Sequence, residues 1–262
     1  MTFWRTLPGW VYLVIAFGFI FLPVAILVLF SFTSRDIPLP PWEGPSLRWY
    51  NEVLHNQRLT DALINSVIVG VGSALVATTL GFLAAYSIAR NTSRFDGLMR
   101  YAMMAPITVS YLIVGMGLLI SLHVMGVPKT LWTLGAGHVI INLPLCFGIV
   151  FAALGEHQRN IERAAHDLGA NDLQTLSRVT VPMLRPSLFA AFCISFTLSW
   201  DEFIIAFLLT RFEVTMPVML FEMLRTGLNP EINAAGSIVF GISMTFVLLA
   251  ILLNLRLRRK NA

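Results

Sequence analysis

The chain has 262 residues, 56% of them hydrophobic and only 12% charged, with a formal net charge of +4. A water-soluble domain carries about twice that charged fraction, so this composition, with its mean hydropathy of +0.75, excludes a soluble domain and points to an all-α polytopic membrane protein. The two cysteines lack ligand spacing, and the sequence holds no glycine-rich phosphate loop, no G-x-S-x-G and no His/Cys cluster of metal-site type.

Six apolar stretches approach the ~20 residues that a bilayer requires. They are Trp10–Phe32, Ala62–Ala89, Tyr101–Val124, Leu131–Leu154, Pro186–Leu209 and Asn233–Leu255. The first is read as an uncleaved helix, because "SFTSRD" after it offers no small-x-small cleavage site. The loop that follows is rich in proline and aromatic residues, and Trp42, Trp49 and Tyr50 suit the headgroup level.

The second stretch carries small residues at four-residue spacing, Ser66–Gly70–Ala74 and Ala77–Gly81–Ala85. Such a face admits a close neighbour, and packing within the chain is the favoured reading. The tight "GVPK" loop makes the third and fourth stretches antiparallel neighbours. His138, inside the fourth, is expected to hydrogen-bond across the bundle. Cys146 and Cys193 are expected to pack.

Residues 155–186 form the long polar loop of the chain. Ile161, Ala164, Ala165 and Leu168 recur at helical spacing and predict a short amphipathic helix. Gly169 is its natural stop, since glycine adopts positive φ without a Cβ clash. Asn171 with Gln174 reads as a capping box that opens a second short helix. Pro182 and Pro186 are expected to bend the chain back into the membrane. An ordinary solvated loop with local amphipathicity is the plainer alternative.

The fifth stretch contains "TLSWDEFIIAFLLT", with Asp201 beside Glu202 and no Lys or Arg between Pro186 and Thr210. With the N-terminus inside, twelve basic residues fall on inside segments and six on outside loops, which favours both termini in the cytoplasm. The positive charge is therefore topological and gives no sign of nucleic-acid binding.

The segment "RAAHDLGANDLQTLSRVTVPMLRP" resembles the cytoplasmic signature, the EAA loop, of permease subunits of binding-protein-dependent ABC importers. Ala164, Ala165, Gly169, Val179, Val181 and Pro182 sit in register with it. One departure is clear: Arg163 occupies the place of the motif glutamate, and Glu162 stands one residue early. "WEGPSLRWYNEVL", "NSVIVGVGSALVATTLGFLAAYSIAR", "SFTLSWDEFIIAFLLT" and "LNPEINAAGSIVFGIS" are most similar to the second permease subunit of spermidine/putrescine transporters. In polyamine permeases "MMAP" is often followed by an acid, where this chain has Ile107.

The resemblance implies a type I ABC importer (MetI-like) permease fold in a bacterial inner membrane. It implies residues 1–60 as first span and periplasmic loop, 61–255 as a permease core of five spans, and 256–262 as a basic cytoplasmic tail. Glu162, Arg163, Ala164, Ala165, Asp167, Gly169 and Ala170 would form the coupling surface for an ATPase subunit. The partners implied are a second, non-identical permease, two ATPase subunits, a periplasmic solute-binding protein and the bilayer. No cofactor is expected on this chain; ATP and Mg would sit in the ATPase.

A charge at the centre of a span costs on the order of 3 kcal/mol, so the acidic pair should face a cavity or a cationic partner. Fifteen residues after Pro186, Asp201 would lie roughly 22 Å along the helix, past the midplane toward the outside. Adjacent helical residues point about 100° apart, so Asp201 or Glu202, not necessarily both, is expected to line the pathway. Trp200, Phe203 and Phe207 would offer ring faces to ammonium groups. The alternative is that one acid pairs with the partner permease and holds a gate closed.

The function expected is a permease without catalytic chemistry of its own, for a small cationic solute such as spermidine or putrescine. Other organic solutes (opines, amino-acid derivatives, aminophosphonates) are the alternative. A proton-coupled secondary transporter lacks support in an inverted repeat, and an intramembrane enzyme lacks a nucleophile–base set.

Overall fold

The structure, a computed structural model, describes residues 3–38, 44–91, 94–227 and 229–260. Trp42 and the last two residues of the expected tail lie outside them. The elements in chain order are α1 (Phe3–Ser31), α2 (Arg48–His55), α3 (Gln57–Arg90), α4 (Asp96–Met104), a 3-10 turn (Ala105–Thr108), α5 (Tyr111–Val124), α6 (Leu131–Ala153) and α7 (Glu156–Asp167). Then come α8 (Asp172–Thr175), a π-helical turn (Leu176–Thr180), α9 (Val181–Trp200), α10 (Ile204–Leu209), α11 (Met216–Thr226) and α12 (Pro230–Lys260). Among the described residues five helical runs are long and apolar enough to cross a membrane, six when the bent pair 96–108 and 111–124 is taken as one span. Among the described residues no strand forms, only an isolated bridge between Thr33 and Pro45.

The chain divides into two compact units, 1–60 with 219–242, and 61–218 with 243–262. In the first, α1 leaves its apolar side chains from Trp10 to Leu22 exposed, as a helix solvated by lipid does. Trp49 is buried and donates its indole N–H to the Thr33 carbonyl at 2.9 Å. The Tyr50 hydroxyl lies 2.7 Å from the Ser31 hydroxyl. The polar tips of Trp49 and Tyr50 thus find partners within the unit. Asn56 donates to Glu231 at 3.0 Å, tying the start of α3 to that of α12.

In the second unit α3, α6 and α9 share a core of Ala77, Phe82, Ala85, Cys146, Phe147, Leu184 and Ala191, among others. The small residues of α3 explain the fit. A Cβ on Gly81 would stand 2.8 Å from the Phe147 amide nitrogen and 2.9 Å from the Cys146 Cβ, and one on Gly70 would meet the Phe196 ring at 3.1 Å. The close approach predicted from the spacing is thus made within the chain. A second cluster joins α3, α6 and α10 through Val69, Leu134, Ile141, Ile205 and Leu209. Cys146 and Cys193 are both buried and free.

Two expected spans are not single straight helices. The third bends by 100° between 96–108 and 111–124. Pro106 lies in the 3-10 turn, and Val109 and Ser110 are extended, so the helix cannot run through. The second correction concerns residues 172–200, which are helical throughout; Pro182 and Pro186 make no turn into the membrane. The π-helical turn directly precedes Pro182, whose nitrogen cannot donate to residue 178, and the wider turn absorbs the missing bond. At the other end this run stops at Trp200, and α10 begins after three non-helical residues, Asp201, Glu202 and Phe203. The basic tail is likewise not separate, since α12 continues through Lys260.

Candidate functional site

The polar loop builds a two-helix corner. α7 ends at Leu168, Gly169 follows with φ +87°, and two bonds close the turn: Gly169 N–H to the His166 carbonyl at 2.8 Å and Ala170 N–H to the Ala165 carbonyl at 3.0 Å. That pair of bonds satisfies carbonyls a helix end leaves open. Asn171 then caps α8, its side chain accepting from Gln174 N–H at 2.8 Å while the Gln174 side chain accepts from Asn171 N–H at 3.1 Å. The stop and the capping box expected from the residues are both present.

The orientation of α7 is the less expected finding. Its buried residue is Glu162, whereas Ile161, Ala164 and Leu168 are exposed, Leu168 at 90%. Leu173 on α8 is exposed as well. Glu162 turns inward to an ion pair with Arg90, the last residue of α3, and accepts from the Thr180 hydroxyl at 2.8 Å. A carboxylate thus anchors the corner, leaving the apolar residues on the outer surface. Arg163, next in sequence, is exposed and lines a cavity of about 550 Å³ with Tyr86, Arg90, His166, Asp172 and Leu173. Asp167 and Gly169 are exposed, Ala165 and Ala170 half-buried.

At the far end of the helical run the two neighbouring acids part company. Asp201 is the C-cap of α9 and is exposed. Glu202 is 6% exposed, and its carboxylate accepts from Ile205 N–H and Ala206 N–H, each at 3.0 Å. Because the helix stops here, the about 100° helical offset between neighbours does not apply. The break leaves unpaired N–H groups at the start of α10, and Glu202 satisfies them. Of the aromatic residues expected nearby, Phe207 is exposed, Phe203 is half-buried, and Trp200 is buried with its ring on Phe196 at 5.9 Å.

A buried polar chain runs beside the break. His138 Nδ1 pairs with the Ser199 hydroxyl, which lies 2.9 Å from the Ser73 hydroxyl on α3. His138 Nε2 lies 3.6 Å from a Glu202 oxygen. The cross-bundle bond expected for His138 is therefore made. Ser73, Ser199 and the capping role of Glu202 were not legible, because hydroxyls in an apolar run are silent until their neighbours are known. The one available signal was an acid placed three residues before Ile205 at the foot of a short apolar run.

Comparison with known proteins follows from this geometry. The family described as "Binding-protein-dependent transport system inner membrane component" matches residues 77–260. The putrescine transport system permease protein PotI of Escherichia coli (strain K12) is 33% identical over 240 residues, 88% of this chain and 85% of that protein. The spermidine/putrescine transport system permease protein PotC of Haemophilus influenzae is 28% identical over 256 residues, 95% of this chain and 96% of that one. A putative 2-aminoethylphosphonate transport system permease protein, PhnV of Salmonella typhimurium, is 26% identical over 257 residues, 97% and 93% of the two chains. Among solved structures, a bacterial ABC transporter involved in import of the acidic polysaccharide alginate matches with TM-score 0.70 at 17% identity, covering 94% of both chains. The inward-facing MetNI methionine ABC transporter matches with TM-score 0.60 at 12% identity, covering 77% of this chain and 99% of that one.

Proposed function

This chain belongs to the binding-protein-dependent transport system inner membrane components, and from that premise we propose that it carries a polyamine, putrescine or spermidine, through an ATP-driven importer. Its role is transport, not catalysis, as in the permeases it resembles. The observation that carries the solute class is Asp201. An exposed carboxylate stands at the C-terminal end of a 20-residue helix, where the last carbonyls already contribute negative potential. Two like-signed sources at one point favour a cation, and an ammonium group supplies it. Phe207, exposed six residues further along the chain, offers an apolar and aromatic surface to the methylenes.

The corner at 155–186 supports the coupling role. Ile161, Ala164, Leu168 and Leu173 face outward from helices fixed by Glu162, so a partner meets a preformed apolar ridge. We assign that partner as an ATPase subunit, whose movement on binding ATP would be passed to α3 and α9 through the Arg90–Glu162–Thr180 contacts. A second, non-identical permease, a second ATPase subunit and a solute-binding protein complete the transporter. The distribution of basic residues supports a cytoplasmic side for both termini and this corner. The core, on this reading, is 61–255, with 1–60 as the first span and periplasmic loop.

One observation favours a second solute class. Ile107, at the bend of the third span, replaces the acid often found in polyamine permeases, and the likeness to PhnV covers nearly the whole chain. An aminophosphonate would need less negative charge along the path. The assembled transporter, reconstituted in vesicles with its binding protein, separates the two. ATP-dependent uptake of putrescine, reduced about tenfold or more by Asp201→Asn with assembly intact, is the expected result. ATP-dependent uptake of 2-aminoethylphosphonate without putrescine would overturn the polyamine reading, and uptake driven by a proton gradient without ATP would overturn the importer.

A further inference from the structure

We infer that His138 is a positioning residue for the solute pathway: by bonding to Ser199 and packing against Glu202 it fixes the direction in which Asp201 presents its carboxylate. This rests on the reading of Asp201 as a pathway residue. The imidazole touches both flanks of the break. Its Nδ1 meets Ser199, in the last turn of α9, and its Nε2 faces Glu202, the residue after Asp201. Both His138 and Glu202 are buried, Nε2 has no hydrogen-bond partner among the described residues, and the Glu202 carboxylate lies 3.6 Å from it.

Without such a bracket the break would be a swivel. Three non-helical residues join α9 to α10, and the Glu202 side chain bonds to the Ile205 and Ala206 amides at the start of α10 while the Phe203 carbonyl accepts from Phe207 N–H at 2.8 Å. Rotating the linker to bring Asp201 inward must pull Glu202 off the Ile205 and Ala206 amides or move it away from His138. Ser199 is held in turn by Ser73 on α3, and Ser73 reaches the Gly70 carbonyl at 3.4 Å. The bracket is therefore seated on α3 and α6, two helices whose close packing at Gly81 leaves no play. A buried polar network in which each member fixes the next specifies one arrangement.

The test reads the direction of position 201 without relying on transport. In the assembled complex carrying Asp201→Cys, the rate of modification by a cationic, water-soluble methanethiosulfonate is measured with and without His138→Leu. The chain lacking that cysteine gives the background from buried Cys146 and Cys193. His138→Leu and Ser199→Ala should each change the rate about fivefold or more, as coupled neighbours do. Met125→Cys, in an exposed loop, should label at an unchanged rate. If His138→Leu does not assemble, His138→Gln and Ser199→Ala carry the same measurement. An unchanged rate at 201 overturns the inference. A second readout is the cycle of Asp201→Asn and His138→Leu on uptake: the double variant should transport within about twofold of Asp201→Asn alone. Losses that multiply overturn the positioning role. If Asp201→Asn leaves uptake normal while the labelling rates respond, the bracket stands and the pathway reading fails.

Discussion

Glu162 and Glu202 stand near opposite ends of the helical run 172–200, and each is buried. They are held by different means. Glu162 is held by side chains far away in sequence, the Arg90 guanidinium and the Thr180 hydroxyl. Glu202 is held by backbone N–H groups three and four residues ahead of it. The first arrangement joins three elements and depends on a partner that a second substitution can remove. The second belongs to the break itself, and no distant substitution replaces it. A buried acid can thus tie a corner together or finish a helix end, and the neighbouring residues decide which.

Glu162→Leu is the strongest way to break this contrast. It leaves Arg90 buried without its partner, a loss of about 3–5 kcal/mol for a fully buried pair, which the partial exposure of Arg90 reduces. Proteolysis within 155–171 should accelerate and uptake should be lost. Adding Arg90→Leu should restore protection, because an apolar pair of similar volume replaces an ion pair at little cost. If the double variant is as labile as the single one, the corner is not held by that pair.

Gly169→Val should come next. At φ +87° a β-branched residue costs about 2 kcal/mol, and the second short helix is misdirected. Membrane insertion should persist while solute-stimulated ATP hydrolysis and uptake fall together. Unchanged coupling would sink the role given to the corner.

Glu202→Gln should have a smaller effect, about 1 kcal/mol, since a carbonyl oxygen still accepts from the start of α10, whereas Glu202→Leu leaves those amides open at about 2 kcal/mol. The thermal midpoint of the purified complex measures the order. Neither should be rescued by Arg90→Leu or any change outside the break, which sharpens the contrast with Glu162. The smallest expected effect on function is that of single cysteines at Ser46, half-buried, and Asp172, exposed. The first should react with an impermeant reagent from outside and the second should not; the reverse pattern would exchange the sides of the two ends.

Much of this fold could be read from the residues because helices in lipid announce themselves by length. Gly169, Asn171 and Gln174 announced themselves too, since positive φ and capping are local chemistry. What escaped reading was breaks inside apolar runs. "MMAPITVS" and "WDEF" keep the hydropathy of a span while the backbone bends or stops, because local groups such as the Glu202 carboxylate and the Pro106 carbonyl take up open amides. The proline at 106 lies just before a break at which the chain bends by 100°, whereas those at 182 and 186 sit within a continuous run, the first close to a π turn. Residue type alone did not separate them. Glu162 was read as part of a docking face, yet it points inward, because its partner Arg90 lies 72 residues away.

Two glycines nine residues apart on α3 set opposite limits on how this sequence can drift. Gly72 has nothing within 4 Å of where a Cβ would stand, while at Gly81 the nearest atom is another helix's backbone at 2.8 Å. A library randomised at both positions and selected for uptake should return many residue types at 72 and glycine alone at 81. Among descendants of this chain, position 81 would then remain a fixed letter after most of the lipid-facing alphabet had turned over.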